Sequence, residues 1–381
     1  MIDRRSLVLL ALGGLSLLAG LTGALVLLGL GTPEAAVHLA AAHGVLMALG
    51  FLGTMIALER AVALGASWAY LAPMAAGLAA IALVLGVPDP IPGLLLLFGG
   101  AVFAAMYVAF DRIEVSLHSR VQAVGAVAWP VAALLWLSGR PVSAIVPWLA
   151  AFLVLVIAGE RLELSRLGQL AARASSTSIA AAALFCLGVL LTLWQADLGM
   201  RLAGIGLLAM TGWLATHDLA RRTVRMGGVT RFIALCLLIG YAWMAVAGLI
   251  WIGFGASAGG AAYDAGLHAL FLGFVISMVF GHAPVIVPAV LRVRLPYHPR
   301  FYAHLALLHA GLLLRVVGGD LAGLTPLWQA GGVLNVVALL LFVGSSATAV
   351  VQGLATRRRP PPGRRVGTAV HPMRRVPVRI D

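Results

Sequence analysis

Phe232-IALCLLIGYAWMAVAGLIWIG-Phe254 carries no charged side chain and is opened by a single Arg231. At 1.5 Å per residue such a run crosses the roughly 30 Å hydrocarbon layer of a bilayer, which takes about 20 residues. Working outward, stretches of this kind recur near 6–30, 35–58, 69–87, 92–110, 119–138, 142–159, 176–195, 201–217, 262–291, 300–318 and 327–352. Composition agrees. Of 381 residues, 62% are apolar and only 10% charged, and the mean hydropathy is +1.03. A soluble chain is about half apolar and about a quarter charged. The sequence therefore predicts an all-α, polytopic integral membrane protein of about twelve transmembrane helices. The bundle occupies 1–352, and a basic, disordered tail 353–381 follows.

The 26 basic residues are all Arg, against 13 acidic ones, for a net charge of +13. They punctuate the apolar runs, so they report topology and lipid contact, not nucleic acid. With twelve spans, 23 Arg fall on the side of the N-terminus, and Arg140, Arg201 and Arg315 on the other. This asymmetry predicts a cell-membrane protein with both termini in the cytoplasm. Arg4-Arg5 followed by Leu7–Leu30 reads as a retained first helix, because the run is long enough to span and no cleavage site is evident. Cys186 and Cys236 lie in separate apolar runs and read as small hydrophobes with no metal spacing.

Helices 2, 6 and 10 share a register. Phe51-LGTMIAL-Glu59, Phe152-LVLVIAG-Glu160 and Phe274-VISMVFG-His282 each place a proton-exchanging group eight residues after a Phe. Arg60 and Arg161 follow the two glutamates and are expected to keep both ionised. The pattern suggests three four-helix units in a pseudo-threefold arrangement. Ionisable side chains inside spans are costly and point to function. By helix rise, His43 and His268 lie about 12 and 9 Å below the outer surface. Two imidazoles at one depth suit axial ligation of a haem. His38 is nearer the surface and is a further candidate for that site. His282 and His309 each lie about 13 Å from the inner end. With His304 they are candidate ligands for a second haem or a copper ion. In each case the competing reading is a histidine that only bonds neighbouring helices.

His38-LAAA-His43-GVLMALGFLGTMIALER and His268-ALFLGFVISMVFG-His282-APVIVPA resemble the NnrS family of membrane haem proteins linked to nitric oxide response. More distantly they are similar to subunit I of the haem–copper oxidases. The resemblance implies twelve helices, a haem held by helices 2 and 10 through His43 and His268, and a small gas or an electron donor as partner. It does not imply oxygen reduction. Helices 6 and 7 carry no His, and helix 10 lacks the oxidases' adjacent His pair. The His-x4-His spacing of helix 2 also differs from the NnrS pattern, which pairs closely spaced His residues with a Glu. A proton- or ion-coupled transporter without haem, using the same His and Glu residues, is the alternative, and a scaffold without chemistry a third reading.

The Arg asymmetry gives a direct expectation. Reporter fusions after residues 89 and 197 should read outside, and fusions after 114 and 225 inside. One clear reversal breaks the topology.

Overall fold

In the computed structural model, residues 3–31, 36–88, 90–165, 172–293 and 296–358 are described. They are helical, with no strand among the described residues. The helices are α1 (Arg4–Leu27), α2 (Val37–Leu64), α3 (Ser67–Val84), α4 (Ile91–Ile113), α5 (Leu117–Leu137), α6 (Val142–Ser165), α7 (Ala172–Leu191), α8 (Ala196–His217), α9 (Gly228–Phe254), α10 (Ala261–Leu291), α11 (Phe301–Leu321) and α12 (Thr325–Arg358). Eleven are long and apolar enough to cross a bilayer; the apolar part of α7, Ser175–Leu191, is shorter. Helix α12 continues past the expected boundary at residue 352. The rest of the expected tail, 359–381, lies outside the described residues, as do Arg166 and Arg294.

Without water in the hydrocarbon, each backbone group must be satisfied within its own segment, and the helix does this. What holds one helix to another is then close packing, since lipid is as apolar as leucine. Glycine supplies the closeness between α1 and α2. Gly13 faces Met55, Gly20 faces Met47 and Gly23 faces the Leu39 carbonyl, an antiparallel sequence of contacts. Helix α6 is the hub: 83% of its apolar window is buried, from Ile145 to Ala158. A helix surrounded by protein needs no polar face, which explains its unbroken apolar sequence. Cys236 is buried and Cys186 half-buried, and both are free thiols.

Two helices leave α geometry in the middle. In α2 the segment Leu46–Gly53 is a π-helix, and in α10 so is Ala269–Ile276. The step from 46 to 269 and from 53 to 276 is 223 residues, the same step that carries Phe51 to Phe274. The sequence likeness between these helices thus extends to their backbones. Helix α6 does not share it: the matched position is Pro147, and the helix stays α throughout. A third π segment, Leu314–Leu321, ends α11. π turns are rare and gather at functional sites. Here they begin three residues after His43 and one after His268.

The packing of α1 on α2 is testable at two glycines. A Cβ at Gly23 would strike the Leu39 backbone, whereas a Cβ at Gly14 meets nothing within 4 Å. Gly23→Ala should destabilise the detergent-solubilised protein by about 1–3 kcal/mol. Gly14→Ala should be neutral or stabilising, because Ala is the better helix former. Equal thermal unfolding of the two variants would refute the close approach.

Candidate functional site

Polar side chains gather in two layers, one toward each end of the bundle. In the layer termed outer after the expected topology, the imidazoles of His43 on α2 and His268 on α10 line one cavity of about 120 Å³. His43 is 2.7 Å through Nδ1 from the Gly20 carbonyl of α1. His268 is 2.8 Å through Nδ1 from the Asp264 carbonyl, one turn earlier on its own helix. A carbonyl only accepts, so in each ring Nδ1 carries a hydrogen, and a neutral ring then keeps its lone pair on Nε2. This is how metal-binding histidines are fixed in tautomer and orientation by their surroundings. His268, Asp264 and Arg315 all lie close enough to act electrostatically on His43. Met47, Leu149, Phe271 and Ile276 make the cavity walls apolar.

His268 is supported by a charged anchor. Arg315, at the start of the π segment of α11, donates from Nε and Nη2 to the two Asp264 oxygens at 2.7 Å each. Trp328 Nε1 of α12 donates to Asp264 Oδ2 at 2.9 Å, and the guanidinium carbon lies 5.1 Å from the Trp328 ring centroid. The Asp264 carboxylate also stands 3.2 Å from His268 Nδ1. Helices α10, α11 and α12 are thereby tied around one imidazole. Asn335 of α12 lines the same cavity; its Nδ2 donates to the Leu308 carbonyl at 2.7 Å, and its buried Oδ1 has no partner. His38 is not part of this group. It lies at the exposed start of α2, with Nε2 3.1 Å from the Val84 carbonyl.

The inner layer centres on Arg60 of α2, whose Nη2 pairs with Glu160 of α6 and stands 3.7 Å from Glu59. Arg161, expected to keep its neighbouring glutamate ionised, makes an ion pair elsewhere. One residue turns a helix by about 100°, so Arg161 points away from Glu160. It reaches Asp218 in the α8–α9 connection, at 3.3 Å. Asp218 also accepts from Tyr241 of α9 at 2.8 Å and from the Ala220 backbone at 2.7 Å. Tyr107 of α4 lies beside Arg60, Glu59 and Glu160, and its buried hydroxyl has no partner. His282 is near Glu160 and Arg60 electrostatically and is 2.7 Å through Nδ1 from the Met278 carbonyl of its own helix.

The three histidines expected to share a metal ion have separate surroundings. His309 Nδ1 accepts from Trp243 Nε1 of α9 at 3.0 Å, and its Nε2 is 3.4 Å from the Ser277 hydroxyl. His304 lies among the rings of Phe232, Phe280, Phe301 and Phe342, its Nε2 unpartnered. Among the described residues no group of three or more His, Cys, Asp or Glu could hold a metal ion. The five-residue step from His304 to His309 turns their side chains about 140° apart. His282 bonds its own backbone, whereas His309 bonds Trp243 of α9 and stands by Ser277 of α10.

Sequence reasoning missed Asp264, Arg315, Trp328 and Asn335 in the outer layer, and Tyr107, Asp218 and Tyr241 in the inner. Asp264 stands one turn before His268, and that D-x3-H spacing was the available signal. The chain belongs to the family described as a domain of unknown function (DUF8744), whose model matches residues 5–351 and so takes in both layers. No curated relative matches it.

The outer anchor predicts a stability cost. Arg315 has a side chain only 8% exposed, so Asp264→Asn leaves a buried cation without its counter-charge. The loss should be about 3–5 kcal/mol. Adding Arg315→Met should recover part of it in thermal unfolding, and a single variant as stable as wild type would refute the pairing.

Proposed function

We propose that this is a haem-binding protein of the cell membrane, with both termini cytoplasmic, in which His43 and His268 hold the iron in the outer third of the bilayer. The observation that carries the reading is the pair of imidazoles on one cavity, each with Nδ1 committed to a carbonyl and Nε2 left as a donor of its lone pair. The walls are apolar, as a flat hydrophobic macrocycle requires, but a cavity of about 120 Å³ is smaller than a haem, so its walls must move apart to admit one. The resemblance of helices 2 and 10 to NnrS and oxidase sequences implies the same ligand pair. A haem bound there supplies one-electron exchange when both imidazoles ligate, or an open position for a gas such as nitric oxide when only one does. Gly20 and Asp264 orient the two rings. Arg315 holds Asp264 in place, and the walls exclude water. An electron donor or a diatomic gas would be the partner of such a site.

The second reading, a proton- or ion-coupled transporter without haem, draws on the inner layer, where Glu59, Arg60, Glu160, Arg161 and Asp218 are concentrated. Absorption spectroscopy separates the two. Protein purified from a haem-sufficient host should show a Soret band. His43→Ala and His268→Ala should each abolish or strongly shift it, and His118→Ala should leave it unchanged. Haem-free wild-type protein would favour the transporter. Haem-replete protein with an unaltered spectrum in both variants would reject these ligands.

A further inference from the structure

Among the described residues the inner layer does not balance its charge. Arg60 stands against both Glu59 and Glu160, and Arg161 pairs with Asp218. Three carboxylates thus face two arginines: Glu59 and Arg60 from α2, Glu160 and Arg161 from α6, and Asp218 from the α8–α9 connection. The other titratable groups turned toward them are Tyr107 of α4, Tyr241 of α9 and His282 of α10. With all five charged, one negative charge is left over among groups mostly withdrawn from water. An uncompensated charge in a low-dielectric interior is far more costly than binding a proton or a cation.

A second observation points to the same place. The Tyr107 hydroxyl belongs to a residue only 2% exposed, faces this cluster and has no partner among the described residues. A buried hydroxyl normally has one, in protein or in ordered water. A metal cation is a poor occupant. Alkali and alkaline-earth ions are gathered by several oxygens, whereas here the space between the carboxylates is filled by the Arg60 guanidinium. His282 bonds the Met278 carbonyl of its own helix and not one of these carboxylates.

We propose that Glu59 is a proton-exchanging carboxyl, held next to the ionised Arg60–Glu160 pair and completed by the Tyr107 hydroxyl through bound water. Glu160 takes the closer contact with Arg60; Glu59, at 3.7 Å, carries the proton. Its side chain is 25% exposed, against 17% for Glu160, so the proton comes from and returns to water at the inner end of the bundle. No electron moves in this step. The site stands apart from the outer cavity and does not depend on haem being bound there.

Infrared spectroscopy of the full-length protein in nanodiscs reads this directly. At neutral pH in sodium-free buffer, wild type should show the carbonyl stretch of a protonated carboxyl, shifted on exchange into heavy water. Glu59→Gln should lose the band. Glu160→Gln should lose it as well, because Glu59 then has Arg60 to itself and ionises. Tyr107→Phe should keep the band but move it, and Glu114→Gln, in an exposed loop, should change nothing. The proposal is overturned if wild type shows no such band, if the band survives both Glu59→Gln and Glu160→Gln, or if sodium chloride abolishes it, which would indicate a cation site instead. Asp320→Asn, in the outer layer, should leave the band in place, and the Glu160→Gln variant carries the test if Glu59→Gln does not fold. A negative result leaves the Soret assignment untouched, and a haem-free protein leaves this band untouched.

Discussion

A carboxylate placed in hydrocarbon has no water to turn to, and every polar feature of this protein follows from how that constraint is met. Asp264 accepts from both arms of Arg315 and from the Trp328 indole, so that three helices converge on one side chain. The same constraint ties His43 to a carbonyl of α1 and Asp218 to Arg161, Tyr241 and a backbone amide. Apolar packing alone does not favour one partner helix over another in lipid. The polar contacts name the partner, and the glycines then set the distance.

Much of this was legible in the residues. The helix number and class follow from run length. The likeness of α2 and α10 was visible from Phe51 and Phe274 onward, and the π segments fall on that same register. The depth of His43 and His268 was enough to anticipate their common cavity, since both helices face the bundle interior there. What depth does not give is azimuth. His282 and His309 were matched in depth yet turn to different neighbours, and Arg161 turns away from the glutamate beside it. Partners distant in sequence, such as Asp264 with Arg315 or Tyr107 with Arg60, depend on which helices become neighbours. Periodicity within one helix does not carry that information.

The two polar layers are separated by an apolar one, and the π segments of α2 and α10 lie in it. Above stand His43 and His268; below stand Thr54, Glu59, Ser277 and His282. A π segment changes the number of residues per turn, and so changes which residues of the lower half face inward for a given set in the upper half. Helices α2 and α10 each present polar groups to the interior at both ends, with Leu and Phe between. The Ser16 hydroxyl, donating to the Leu46 carbonyl at 2.8 Å, supplies a partner where that regular ladder changes.

Helix α6 has a bearing on how the molecule is made. It is among the most apolar segments of the chain, yet in the finished bundle most of its surface touches protein. During synthesis it enters the bilayer after five helices and before six others, so lipid must be its first solvent. Those later helices include α8 and α10, two of the elements that come to cover it. Its final surroundings are therefore assembled by displacing lipid from a helix already in place. Chains truncated before α10 would leave the α10-facing side of Ile145–Ala158 in contact with acyl tails, a surface to which membrane quality control can respond.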